Sequence, residues 1–119
     1  MRNVNKALGK DVGTTAIDMG TLQPSTVRIY QRIIDNFDDV GQMLVGDKAE
    51  EYGNPQTMCR RIGRRWFERE DGETDVAIMM AELKIERIKF DPTKEDSYMD
   101  AIAYLAMALA FMQERKKND

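Results

Sequence analysis

The sequence predicts an all-α protein built as a four-helix bundle or a close relative of one. Apolar residues recur every three or four positions in four segments, which is the spacing of one face of a helix. Glycine, proline and aspartate separate these segments, and no stretch alternates apolar and polar residues for long enough to predict a sheet. At 119 residues the chain has the size of one domain.

Residues 1–23 are predicted to form a flexible N-terminal arm, because their glycines and polar residues follow neither a helical nor a strand period. The helical domain is therefore expected to span residues 24–119. Its first helix is predicted to begin near Pro24 with Ser25 as the N-cap, and to kink or break near Gly41.

Helix-breaking residues bound the other three predicted helices. The second is predicted over residues 56–69, and the third over residues 74–89 with Thr74 as its N-cap. Pro92 cannot continue the third helix, and Thr93 is predicted to cap the fourth. The apolar stripe of the second helix is expected in the core: Met58, Cys59, Ile62 and Trp66.

Composition restricts the chemistry that the chain can perform. The 18 basic and 21 acidic residues give a net charge of -3, which predicts no general attraction to nucleic acid or anionic membranes. The chain has no histidine, so a metal site would use oxygen ligands, which suit Mg²⁺ or Mn²⁺. A single cysteine and an N-terminus without the apolar core of a signal peptide predict a cytoplasmic protein.

An acidic residue lies inside the most apolar segment of the sequence. From Tyr98 to Met112 every residue is apolar or aromatic except Asp100, so this helix is expected to be buried on nearly all sides. The segment is too short to cross a membrane. We therefore expect the rest of the bundle or a second subunit to cover it, which favours a homo-oligomer, either a dimer or a tetramer.

A buried carboxylate needs a partner that offsets its lost hydration. Asp96 lies one turn before Asp100, and two acids on one face attract a divalent cation or a basic side chain. The third helix offers both kinds of partner: the acids Glu82 and Glu86, and the bases Lys84 and Arg87. Two interpretations stay open, a metal or ligand site and a structural network in which Lys84 or Arg87 neutralises Asp100.

Two groups of motifs resemble a known family. The first comprises Leu44-Val45-Gly46-Asp47-Lys48, Tyr52-Gly53, Pro55, Arg61-Ile62 and Trp66. The second comprises Asp75-Val76-Ala77, Met79-Met80, Leu83-Lys84, Arg87, Asp96-Ser97, Asp100 and Tyr104. In this order, over about residues 43–109, they resemble a phage and prophage family of small proteins. The second group also resembles the nucleotide-modification-associated domain found beside phage base-modifying enzymes.

These families are similar to the all-helical MazG and dimeric dUTPase group. The resemblance implies a MazG-like fold and Mg²⁺-dependent hydrolysis of a nucleoside triphosphate to a monophosphate and pyrophosphate, with Mn²⁺ as the alternative metal. The metal ligands would be Glu82, Glu86, Asp96 and Asp100, of which Glu82, Glu86 and Asp100 would be catalytic. The phosphates would meet Lys48, Lys84 and Arg87, and the base would meet Tyr52 and Tyr104.

The sequence departs from the hydrolase pattern at two positions. Asn54 stands where the third acid of a glutamate motif is expected, and Ser97 stands three residues before Asp100 in place of a glutamate. Nucleotide binding in phage metabolism is therefore expected more firmly than turnover. The alternative is a non-catalytic phage protein that sequesters a nucleotide signal or blocks a host defence protein. A third hypothesis, binding of nucleic acid, would use the arginines of the second helix: Arg60, Arg61, Arg64 and Arg65.

Overall fold

The computed structural model describes residues 19–46, 50, 51 and 53–118. Most of these residues lie in four α-helices and one short 3-10 helix, Met19–Thr21, and none of them lies in a strand, so the all-α prediction is confirmed. The α-helices are α1 (Pro24–Val45), α2 (Pro55–Phe67), α3 (Glu73–Phe90) and α4 (Glu95–Asn118). The chain divides into two compact units, Met1–Asp47 and Lys48–Asp119.

The first unit contains α1, an amphipathic helix of 22 residues. Most of the predicted arm, residues 1–18, lies outside the described residues. The N-cap of α1 is Gln23 and Pro24 occupies the first turn, so the prediction that Ser25 caps the helix is wrong. The predicted break at Gly41 is also wrong, because one glycine costs only about 1 kcal/mol inside a helix and α1 continues to Val45.

The second unit packs α2, α3 and α4 around small side chains. Its core contains Cys59 of α2, Val76 and Ala77 of α3, and Ala108 and Phe111 of α4. Alanine at a helix contact allows the two backbones to approach closely. Helices α3 and α4 are antiparallel. Glu73 at the start of α3 lies near Arg115 at the end of α4, and Lys84 further along α3 lies near Asp100 in the first turns of α4.

A close contact between two glycines joins α2 to the start of α3. A Cβ on Gly63 would lie 3.0 Å from the Cα of Gly72, closer than side chains normally approach a backbone. Between them, Glu68 leaves α2 in the left-handed region with φ of 55°, and the Arg69 N–H donates to the Gly63 carbonyl at 3.5 Å. Glycine at both positions lets the chain turn tightly enough to place Glu73 against α2.

Two N-cap predictions fall in the second unit, for α3 and α4, and neither agrees with the structure. The Asn54 side chain caps α2 by accepting from the backbone N–H groups of Gln56 and Thr57, at 2.8 and 3.3 Å. The prediction for α3 is wrong, since Gly72 precedes its first turn and Thr74 lies inside the helix. The prediction for α4 is wrong as well, because the Thr93 hydroxyl donates to Asp91 and the helix begins only at Glu95.

Two segments that were predicted to be buried, the apolar stripe of α2 and helix α4, are partly exposed in this chain. The α2 stripe is only partly in the core, because Cys59 is buried whereas Met58 and Trp66 are exposed. Similarly, α4 is not covered on all sides, because Leu105 and Leu109 are 48% and 52% exposed. None of the described helices combines the length and the apolar character that a membrane span requires.

Candidate functional site

A cleft of about 580 Å³, open to solvent, lies where α3 ends and α4 begins. Its lining residues are Glu86, Arg87 and Phe90 of α3, Asp91 and Lys94 of the connecting loop, and Asp96, Ser97 and Asp100 of α4. A short loop between two antiparallel helices places the last turn of one beside the first turn of the next. The local sequence therefore brings these residues together without help from distant parts of the chain.

Hydrogen bonds fix the loop between the two helices. The Asp91 N–H donates to the Arg87 carbonyl at 2.9 Å, and the Tyr98 hydroxyl donates to the Pro92 carbonyl at 2.9 Å. The Thr93 hydroxyl and N–H donate to Asp91 Oδ1 at 2.6 and 3.1 Å. These bonds from Thr93, the hydroxyl first, hold the pKa of Asp91 below its ordinary value. The mouth of the cleft is thus ordered and negatively charged at Asp91.

Asp100 pairs with a lysine across the interface of α3 and α4. Lys84 Nζ lies 3.2 Å from Asp100 Oδ2, and the two side chains are 14% and 29% exposed. The sequence had offered Lys84 and Arg87 as alternative partners, and the structure selects Lys84. Because Asp100 also lines the cleft, the same carboxylate can meet both Lys84 and a bound ligand.

Arg87 is available to a ligand. Its side chain is exposed and lines the cleft, and it makes no hydrogen bond or ion pair with another residue that the structure describes. Lys94 adds a second cation from the loop, and Phe90 adds an aromatic ring that is 93% exposed. An unpaired guanidinium and a lysine in the same cleft favour an anionic ligand, since both can donate charge-assisted hydrogen bonds.

The four predicted metal ligands are only partly brought together. Glu86, Asp96 and Asp100 line the cleft, whereas Glu82 is exposed on α3 and is not among the lining residues. Within the described ranges, no three Asp, Glu or Cys side chains lie close enough to hold a metal by themselves. Carboxylate oxygens suit Mg²⁺, which proteins commonly bind through one or two carboxylates together with water and substrate phosphates. The cleft fits that kind of shared coordination and does not fit an all-protein cage.

Of the residues predicted to contact the base and the phosphates, Arg87 lines the cleft and Lys84 pairs with Asp100. Tyr104 is half-buried on α4 and is not a lining residue of the cleft. Lys48 and Tyr52 lie outside the described residues. Their assignment to ligand binding stays a prediction.

Sequence reasoning missed Phe90, Asp91 and Lys94 as lining residues. The signal that could have found them is the short distance along the chain between the two predicted helices. The last turn of one helix and the first turn of the next must be neighbours when only a few residues connect them.

A second polar cluster surrounds a buried carboxylate at the start of α3. Glu73 is 2% exposed, and its Oε2 accepts from Arg60 at 2.8 Å and from Gln56 at 3.3 Å. Its Oε1 is buried without a hydrogen bond from the described residues, and Arg115 of α4 approaches it to 3.9 Å. Burial, followed by the charge of Glu73, raises the pKa of the neighbouring Cys59 thiol. Cys59 is therefore an unreactive core residue, and Glu73 links three helices.

We expect Asp100→Asn to lower the free energy of unfolding by about 1–2 kcal/mol, because it removes the counter-charge of a largely buried lysine. In the double variant with Lys84→Met the loss should be smaller than the sum of the two single losses. Urea denaturation of the four proteins in this cycle measures the coupling. Lys89→Met and Glu86→Gln, which break an exposed pair, provide the control cycle and should show almost none. Additive losses at Lys84 and Asp100 would contradict the assigned pair.

Comparison with known proteins places the chain in a family. A family model described as a domain of unknown function (DUF6378) matches residues 31–112, which include every lining residue of the cleft. No curated protein and no solved structure matches the chain. Because the matched residues make up more than half of the sequence, the chain belongs to the DUF6378 family.

Proposed function

We propose that this protein binds a nucleotide in the cleft between α3 and α4, as a MazG-like, Mg²⁺-dependent nucleoside triphosphate pyrophosphohydrolase or a degenerate relative of one. The observation that carries the proposal is the unpaired guanidinium of Arg87 in the same cleft as Lys94 and the exposed aromatic ring of Phe90. The motif resemblance, which includes Arg87 and Asp100, points to the same cleft. Such a protein would act in phage nucleotide metabolism in the host cytoplasm.

The cleft offers separate contacts for the charged and the aromatic parts of a nucleotide. Arg87 can donate two parallel hydrogen bonds to one phosphate, and Lys94 can neutralise a neighbouring one. Phe90 has an exposed ring face on which a base could stack. A volume of about 580 Å³ is within the range of small-molecule sites.

The carboxylates of the cleft would hold Mg²⁺ jointly with the phosphates. Asp96 and Asp100 line the same wall, and Lys84 fixes the position of Asp100. When bound, Mg²⁺ would neutralise phosphate charge and favour ionisation of a bound water. Binding has more support than turnover, since Ser97 replaces an expected glutamate and the described acids do not converge into a cage.

The nucleic-acid hypothesis receives less support from the structure. Arg60 is held by Glu73 and Arg64 by Glu70, at 2.8 and 2.9 Å, so two of the four candidate arginines already have protein partners. A basic face that bound phosphates of DNA or RNA would have to give up these pairs. The cleft is therefore the better candidate for an anionic ligand.

A ligand screen tests the proposal. The full chain is incubated with Mg²⁺ or Mn²⁺ and with common and modified deoxynucleoside triphosphates, and both pyrophosphate release and the melting temperature are measured. We expect at least one nucleotide to raise the melting temperature by several degrees. A ligand present at 100 times its Kd adds about 2.7 kcal/mol to the free energy of unfolding. Binding without turnover, unaffected by Asp100→Asn, would identify a sequestering protein in place of an enzyme. If no nucleotide in the panel raises the melting temperature or is hydrolysed, the proposal of nucleotide binding is refuted.

A further inference from the structure

One face of α4 is apolar and exposed along most of its length. Positions on this face alternate in steps of three and four, as in a coiled-coil seam. They are Glu95, Tyr98, Ile102, Leu105, Leu109, Met112 and Lys116, and we call them the α4 seam. Four large apolar side chains of the α4 seam are each more than a third exposed: Tyr98, Leu105, Leu109 and Met112. Residues on the opposite side of the helix, such as Ala103 and Phe111, are buried.

The ends of the α4 seam carry opposite charges. The first turn of α4 contains Glu95 and Asp96, and the last turn contains Arg115, Lys116 and Lys117. Two copies of this helix side by side in parallel would place like charges together at both ends. In an antiparallel pair, each acidic first turn lies beside the basic last turn of the other copy, which is the favourable arrangement.

The same antiparallel register also aligns the apolar side chains. When Glu95 faces Lys116 of the second copy, Ile102 faces Leu109, and the two-fold axis passes between Leu105 and Ala106. Ala106 flanks the α4 seam beside the axis and is exposed, so a small residue at this point allows the helices to approach closely. One register thus satisfies charge and packing together.

We propose that the α4 seam is covered by the α4 seam of a second copy of this chain, in an antiparallel, two-fold symmetric pair. Such a contact uses the same patch on both subunits and closes on itself, so the expected assembly is a dimer. The proposed dimer rests on the charges and apolar side chains of the α4 seam and does not require nucleotide binding. If the proposed nucleotide function also holds, Lys116 and Lys117 of the second copy would lie near the first turn whose Asp96 and Ser97 line the cleft. The second copy would then add positive charge beside the ligand.

Sedimentation velocity of the full chain over a range of concentrations tests the dimer without any ligand, so its result does not depend on nucleotide binding. We expect a dimer for the wild type, and for Leu105→Asp a dissociation constant raised about a hundredfold or more, because the pair would bury two carboxylates at the axis. Met58→Asp, which places the same charge on an exposed apolar position of α2, is the matched control and should remain dimeric.

Charge reversal tests the antiparallel register even if Leu105→Asp fails to fold. Lys116→Glu should raise the dissociation constant about tenfold, and adding Glu95→Lys to the same chain should restore it. Leu105→Cys, on the seam and next to the axis, should form an intermolecular disulfide on oxidation, whereas the buried Cys59 of the wild type should not. A monomeric wild type, as expected if α1 of the same chain covers the α4 seam, would overturn the proposal. Dimerisation unchanged in a folded Leu105→Asp, or the absence of rescue by Glu95→Lys, would overturn it as well.

Discussion

Glu73→Ala should lower the free energy of unfolding by about 2–4 kcal/mol. Removing one member of a buried ion pair typically costs about 3–5 kcal/mol. We expect a somewhat smaller loss here, because Arg60 is 41% exposed and regains water when the pair is lost. The same change leaves Arg115 without its nearest carboxylate in α3. The contacts that join α2, α3 and α4 are therefore weakened at one point.

Urea denaturation at neutral pH measures this loss. Glu70→Ala is the matched control, because it removes a glutamate that also pairs with an arginine of α2 but is 82% exposed. The control should change the stability by less than about 0.5 kcal/mol. If Glu73→Ala and Glu70→Ala lowered the free energy of unfolding by similar amounts, burial would not explain the contribution of Glu73 to stability.

The same residue should make stability depend on acid. Burial alone would raise the pKa of Glu73, but the hydrogen bonds from Arg60, from its own backbone N–H and from Gln56 outweigh it, so the pKa lies below its ordinary value. The contribution is then complete above the unfolded pKa of about 4.3 and is lost as the pH falls through the folded pKa. The stability difference between the wild type and Glu73→Gln should accordingly shrink below about pH 4. A difference that stays constant down to pH 2 would contradict this assignment.

The helices could be predicted because their signals are local. Apolar residues at helical spacing and breakers such as Pro92 act within a few residues, and they located all four helices to within a few positions. The caps could not be predicted as well, because a shift of one or two residues changes the residue that precedes the first turn. Thr74 has good capping chemistry, yet Gly72 takes that position because its backbone must pass close to Gly63.

The partner of Asp100 illustrates the limit for the site. Lys84 and Arg87 were equally plausible from sequence, since each is a basic residue of the helix that precedes α4. The crossing of α3 and α4 decides between them, placing Lys84 at 3.2 Å from Asp100 and leaving Arg87 at the cleft. That geometry depends on the alanines packed between the helices, which no local pattern specifies.

Glu73 was missed for a different reason. It precedes Val76 and Ala77 by three and four residues, so the helical period alone places it on the buried face of α3. Its cationic partners, however, come from α2 and α4, and their approach depends on the packing of all three helices. An acid at a core position is a signal that can be recognised in sequence, but its partners are set by tertiary structure.

Arg87→Ala should weaken binding of the responsive nucleotide about 10- to 100-fold. Charge-assisted hydrogen bonds from a guanidinium to phosphate account for a loss of this size, and Arg87→Lys should recover only part of it. Isothermal titration calorimetry with Mg²⁺ present measures the dissociation constants. Arg65→Ala, which removes an exposed arginine of α2 outside the cleft, should bind like the wild type.

Salt separates the two parts of the proposed contact. The loss caused by Arg87→Ala should become smaller as ionic strength rises, because salt screens the exposed phosphate contact. Phe90→Ala should lose about 1–3 kcal/mol of stacking at every salt concentration, since base stacking does not depend on net charge. If Arg87→Ala binds as tightly as the wild type at low salt, the phosphates do not lie at this end of the cleft. The basic residues of a second copy beside the first turn of α4 would then be the next candidates for that role.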